Sequence, residues 1–103
     1  MDNHTAFTKI AEQLAPMGVV PSKMFGMPTW KLNGKALGGT WEDSMVFKLD
    51  EKSLEEALKL SGAKLFEPMS GRPMKQWVQL GPEHADKWTH YAEAAATFLE
   101  KSH

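Results

Sequence analysis

The sequence predicts an α+β domain of two layers, an antiparallel sheet with helices on one face, in the order α-β-β-β-α-β(β)-α. Three observations lead there. Apolar residues recur at helical spacing near both ends of the chain, and they alternate with polar residues through the middle. Within the first alternating stretches the chain reverses at short turns, Asn33-Gly34 and Glu42-Asp43-Ser44.

Each element has its own signal. Phe7, Ile10, Ala11 and Leu14 form one stripe of a first helix, with Asn3 or Thr5 as N-cap and Pro16-Met17-Gly18 as its stop. Val19 to Phe25, interrupted by Pro21, reads as a lead-in to the sheet. Trp30 and Leu32 then alternate with Lys31 and Asn33, and Asn33-Gly34 marks a tight hairpin because both residues tolerate positive φ. The returning strand runs from Ala36 to Trp41, weakened or bulged at Gly38-Gly39. Glu42-Asp43-Ser44 turns the chain into Met45 to Leu49, completing a three-stranded meander. Ser53-Leu54-Glu55-Glu56 has capping-box spacing for a second helix ending at Ser61-Gly62. Lys64 to Glu67 is a brief strand, Pro68 to Pro73 a turn, and Met74 to Leu80 a strand with Met74, Gln76, Val78 and Leu80 on one side. Gly81-Pro82 opens a last helix whose stripe is Ala85, Trp88, Ala92, Ala95 and Leu99.

Composition bounds what the chain can do. Its 103 residues suit one domain over 1–103, and a chain of that size buries roughly two thirds of its unfolded surface. The absence of cysteine removes disulfides, thiolate metal sites and thiol nucleophiles together. No run of about 18 apolar residues exists and no basic leader precedes an apolar stretch, so the expected setting is cytoplasmic with no membrane partner. The net charge of -1 provides no global field for nucleic acid.

No catalytic constellation emerges, and a non-enzymatic protein without a cofactor is expected. His84 and His90 are six residues apart on a predicted helix, hence on different faces, and Asp86 or Glu93 beside His90 makes two ligands without a third. No metal site is expected. The serines sit in turns, caps and ends, and Gly34, Gly38 and Gly39 lack the spacing of a phosphate loop.

Two segments and one face are candidate binding sites. Lys23-Met24-Phe25-Gly26-Met27-Pro28 is an apolar loop in which Lys23, Phe25 and Gly26 could meet a ligand or partner; plugging a core edge is the plainer role, since methionine fills irregular gaps. Gly71-Arg72-Pro73-Met74 holds the one arginine beside eleven lysines. Its rigid fork suits a carboxylate or phosphate, or an internal ion pair. Alternation also predicts that if Trp30, Leu32, Phe47 and Val78 meet the helices, Lys31, Lys48, Lys75 and Trp77 share the opposite face. A basic, aromatic face of this kind could bind a protein partner or single-stranded nucleic acid, or bury Trp77 in a homodimer; the plain alternative is a solvated face with one partly covered Trp.

On these residues the chain resembles the TfoX N-terminal domain family. Met24-Phe25-Gly26 matches the entry to that family's first strand, Asn33-Gly34-Lys35 its hairpin, and Gly71-Arg72-Pro73-Met74 its later turn, in order along essentially the whole chain. The resemblance implies an α+β, secretion-chaperone-like fold and a stand-alone binding or regulatory module, acting on a protein partner or in transcription-related control. The namesake proteins regulate natural competence and carry a further C-terminal domain. A weaker likeness, through Phe25-Gly26-Met27-Pro28-Thr29-Trp30-Lys31, is to YdhG-like proteins, some of which are described as frataxin-like iron chaperones. The first helix here offers only Asp2 and Glu12 as acids rather than an acidic ridge.

Overall fold

The structure, a computed structural model, describes residues 3–24, 26–67, 71 and 73–101. Helix α1 (Asn3–Leu14) leads through a 3-10 turn, Ala15–Met17, into four strands, β1 (Val19–Met24), β2 (Met27–Leu32), β3 (Lys35–Trp41) and β4 (Ser44–Lys48). Helix α2 (Glu51–Leu58), strands β5 (Lys64–Leu65) and β6 (Trp77–Leu80), a 3-10 segment (Pro82–Lys87) and helix α3 (Trp88–Lys101) follow. All six strands pair antiparallel in one sheet of order β1-β2-β3-β4-β6-β5.

The helices share one face of that sheet, where a single apolar cluster joins Phe7, Ile10 and Leu14 of α1, Ala57 of α2 and Trp88, Tyr91, Ala92, Ala95, Ala96 and Leu99 of α3 to Trp30, Leu32, Met45, Phe47, Val78 and Leu80. Trp30 lies at its centre. Its ring stacks on Phe7 at 5.0 Å and on Phe47 at 6.2 Å, and its Nε1–H donates to the Phe7 carbonyl at 3.2 Å. Buried indoles need such a partner because an unpaired N–H loses its hydration with nothing in return.

The meander has four strands rather than three. Pro21 does not prevent β1 from pairing because β1 is an edge, where the missing N–H would face solvent. Asn33 and Gly34 take positive φ (54° and 79°), as a two-residue hairpin with right-handed strand twist requires. The irregularity expected at Gly38-Gly39 lies one step away: the β2–β3 register slips between Trp30 and Lys31, leaving Leu37 as the extra residue. The glycines are needed for close approach. A Cβ on Gly38 would lie 2.4 Å from the Val46 carbonyl oxygen and 3.2 Å from the Trp30 ring.

Three boundaries differ from expectation. Helix α1 already includes Asn3 and Thr5, so neither is its N-cap. Helix α2 starts at Glu51, capped by Asp50, whose carboxylate accepts the Ser53 N–H at 2.8 Å; an acid three residues upstream takes the place of the Ser53 box. Pro82 opens a 3-10 segment rather than α-helix, because His84 departs from helical angles (φ -109°, ψ 21°) before α3 begins.

Candidate functional site

The sheet face away from the helices is not bare. Val46, Met27 and Trp77 project there, Phe66 lies over them, and Ala36, Trp41 and Met74 close the edges of a second, smaller apolar cluster. Phe66 meets Trp41 edge-on at 5.2 Å and tilts against Trp77 at 6.1 Å. The backbone explains how it gets there. After two residues of β5 the Phe66 N–H donates to the Trp77 carbonyl at 2.8 Å, and the Met74 N–H returns to the Phe66 carbonyl at 2.7 Å. These two bonds hold Phe66 and Met74 side by side on the outer face. The Glu67 carboxylate accepts the Gly71 N–H.

This packing corrects the expectation of an open basic and aromatic face. Lys48 does stand opposite Trp77 in the β4–β6 register, and Lys31 alternates with the inward-facing Trp30 and Leu32. Trp77, however, is only 5% exposed, covered by Phe66 and Met74, and offers no ring for a base to stack upon. Lys75 is exposed, but in a turn ahead of the strand. The expected alternation over 74–80 fails at Gln76, whose φ of 76° breaks the pleat, so that Met74 packs with Trp77 instead of with Val78. Positive φ at a glutamine has no local signature. The tight return of 74–77, with the Trp77 N–H on the Met74 carbonyl at 3.2 Å, imposes it.

The other candidate residues divide. Lys23 is exposed near the end of β1, where it pairs with Pro28, and Gly26 turns the β1–β2 hairpin with φ of 76°. Phe25 and Arg72 lie outside the described residues. Successive pairings place Lys23 at the Met27 end of the strands and Lys75 beside the Lys48 end, so the sheet does not bring these lysines together. What it does bring together is one methionine from each flagged segment, Met27 and Met74, in the same outer cluster.

Neither edge of the sheet invites another strand. β1 carries Pro21 and Lys23, both of which blunt an edge, and β5 is two residues long. On β1 the side chain of Val20 stands 54% exposed, a single apolar residue rather than a patch.

Polar groups on the helix side are mostly committed to structure. His84, 9% exposed, sits with Nε2 2.7 Å from the Ser61 carbonyl; Nε2 must carry a proton to donate there, and the bond ties the 3-10 segment to the turn after α2. Sequence spacing put His84 and His90 on different faces of one helix, but a 3-10 segment and not regular α-helix carries His84. The Tyr91 hydroxyl donates to Glu56 at 3.3 Å, and burial, then the nearby negative charge of Glu56 and this bond, raise its pKa above the usual phenol value. A cleft of about 330 Å³ between the start of α2 and the outer side of α3 is lined by Asp50, His90, Glu93 and Lys101 among others. Asp50 is held below the usual carboxylate pKa chiefly by the Ser53 backbone N–H. Among the described residues no group of three or more His, Asp or Glu is placed to hold a metal ion, and no helix is long and apolar enough to cross a membrane.

No protein-family model, curated protein or solved structure matches the chain significantly.

Proposed function

We propose that the chain is a non-enzymatic binding or regulatory module, resembling the TfoX N-terminal domain, that works in the cytoplasm by engaging a protein partner with the outer side of its sheet. One observation carries this reading. The two segments singled out by their motifs, 23–28 and 71–74, are far apart in sequence yet both anchor a methionine in the apolar cluster around Val46, Phe66 and Trp77. The cluster is thus a platform on which both segments are anchored, and Lys23, Gly26, Gly71 and Lys75 of those segments are exposed. Loops held on a rigid scaffold are where binding residues concentrate. Trp77 and Met74 support the platform in this reading, and contact falls to Lys23, Phe25, Arg72 and Lys75.

Capture from native cells with the immobilised chain tests it, with wild type set against Lys23→Glu and Arg72→Ala. A protein retained by wild type and lost with both variants, each still folded by circular dichroism, is the expected result. Capture that neither variant changes would sink the proposal. Single-stranded nucleic acid is the weaker alternative because the ring that would stack on bases is covered.

A further inference from the structure

On the helix side of the sheet, a cleft of about 240 Å³ opens between α1 and the 3-10 segment that leads into α3. Ala6, Lys9, Ile10 and Gln13 line it from α1, at spacings that put them on one stripe, and Ala85, Asp86, Trp88 and Thr89 line it from the other side. Its size falls below the range of about 300–1,000 Å³ that holds drug-sized ligands, so its occupant is a small metabolite and not a nucleotide.

Trp88 is 3% exposed, yet its Nε1–H is the one buried side-chain polar group without a hydrogen-bond partner among the described residues. Trp30, the comparable buried indole, has the Phe7 carbonyl. A buried donor left unpaired costs about 1–3 kcal/mol, so one with no partner among the described residues calls for an acceptor beyond them. The lining adds three constraints. Ala6, Ile10 and Trp88 are buried and apolar, which suits a compact hydrocarbon body. Lys9 brings a positive charge from one wall and Asp86 a negative charge from the other. A simple anion would meet Asp86 and a simple cation Lys9, each unfavourably, whereas a zwitterion satisfies both. Among the described residues Asp86 is otherwise held by Lys87 at 3.6 Å, an exposed pair of little net worth that can be exchanged.

We propose that this cleft binds a small zwitterion with a compact apolar body, an α-amino acid of the leucine class. Its carboxylate accepts from Lys9 and from the Trp88 indole, its ammonium donates to Asp86, and its side chain lies against Ala6 and Ile10. The Trp88 nitrogen is closed to solvent, so the cleft lining must shift for the ligand to reach it. The site is on the opposite side of the sheet from the partner platform and does not depend on it.

The test is nuclear magnetic resonance of the four indole N–H groups in the ¹⁵N-labelled full chain. Trp88→Phe assigns the Trp88 signal, and L-leucine, 4-methylpentanoate and 3-methylbutylamine are titrated separately. Leucine is expected to move the Trp88 signal saturably in about the millimolar range. The acid and the amine, each lacking one charge, should bind about tenfold more weakly, as should leucine to the surface variant Lys9→Met. A Trp88 signal unmoved by leucine, as when an internal water serves the indole, overturns the proposal. Equal shifts from all three compounds, or full leucine affinity in Lys9→Met, overturn it as well.

Discussion

Gly39→Ala is the sharpest perturbation the sheet offers, because the residue has ordinary strand angles and only space forbids a side chain. A Cβ built there lies 2.2 Å from the Pro28 carbonyl oxygen and 2.9 Å from the Thr29 Cα, both backbone atoms that no rotamer change can move. Ordinary contact begins at 3.4 Å, so β2 must retreat by about an ångström along the stretch where Thr29 pairs with Gly39 and Trp30 with Gly38. Stretching two or three ladder hydrogen bonds at about 1 kcal/mol each, with overpacking of about 1–3 kcal/mol, gives a loss of at least about 3 kcal/mol. For a domain near 100 residues this lowers Tm by roughly 12–24 °C. Thermal and urea denaturation measure it, with Gly34→Ala as the comparison. Gly34 has nothing within 4 Å of an added Cβ but a φ of 79°, so its loss comes from backbone strain alone, about 1–2 kcal/mol. If Gly39→Ala cost less than Gly34→Ala, the close approach of β2 and β3 would be wrong.

Trp77→Ser should cost about 3–5 kcal/mol by denaturant unfolding, since a buried ring leaves the outer cluster; a stable variant with altered oligomeric state would instead mean the ring faces a partner. Asp50→Ala removes the α2 cap and should lower stability by about 1 kcal/mol at neutral pH. Because folding depresses the Asp50 pKa, the wild-type advantage is present above the unfolded carboxylate pKa near 3.8 and lost as pH falls through the lower folded value, so the two proteins should converge in strong acid. Tyr91 is the only tyrosine, and ultraviolet titration reads it alone. It should titrate above 10 in wild type and closer to 10 in Glu56→Gln, with burial keeping part of the elevation; its contribution to stability is full below 10 and lost as pH rises through the folded value. A Tyr91 that titrates at 10 in both proteins would remove the Glu56 contact.

Local pattern read well wherever one periodicity governed one face. The stripes Phe7/Ile10/Leu14 and Trp88/Ala92/Ala95/Leu99, and the alternation of Met45, Phe47 and Leu49, all enter the main cluster as their spacing implies. Asn33-Gly34 announced its turn because positive φ selects those residues. The pattern failed where a residue's cost depends on its neighbours. Pro21 looked like an interruption, and only the position of β1 at the edge makes it harmless. Gln76 carries no mark of the positive φ that ends the Met74 alternation, and His84 none of the bend that takes it inward.

The candidate sites divide along the same line. Residue chemistry singled out Lys23, Phe25, Gly26 and Arg72, and alternation put Lys48, Lys75 and Trp77 on the face away from the helices, where Lys48 does stand opposite Trp77. Whether that face was open could not follow from alternation, because two long-range backbone hydrogen bonds to and from Phe66 place Phe66 and Met74 there. The unpartnered indole of Trp88 was equally invisible: spacing shows that Trp88 is buried, while its hydrogen bonding depends on which atoms of other elements come near Nε1. By itself the sequence determined the order of elements and the faces they bury, since those follow from side-chain periodicity. Only the tertiary structure decided which ring is covered, which turn is held and which donor is left unpaired, because each depends on contacts between residues distant along the chain.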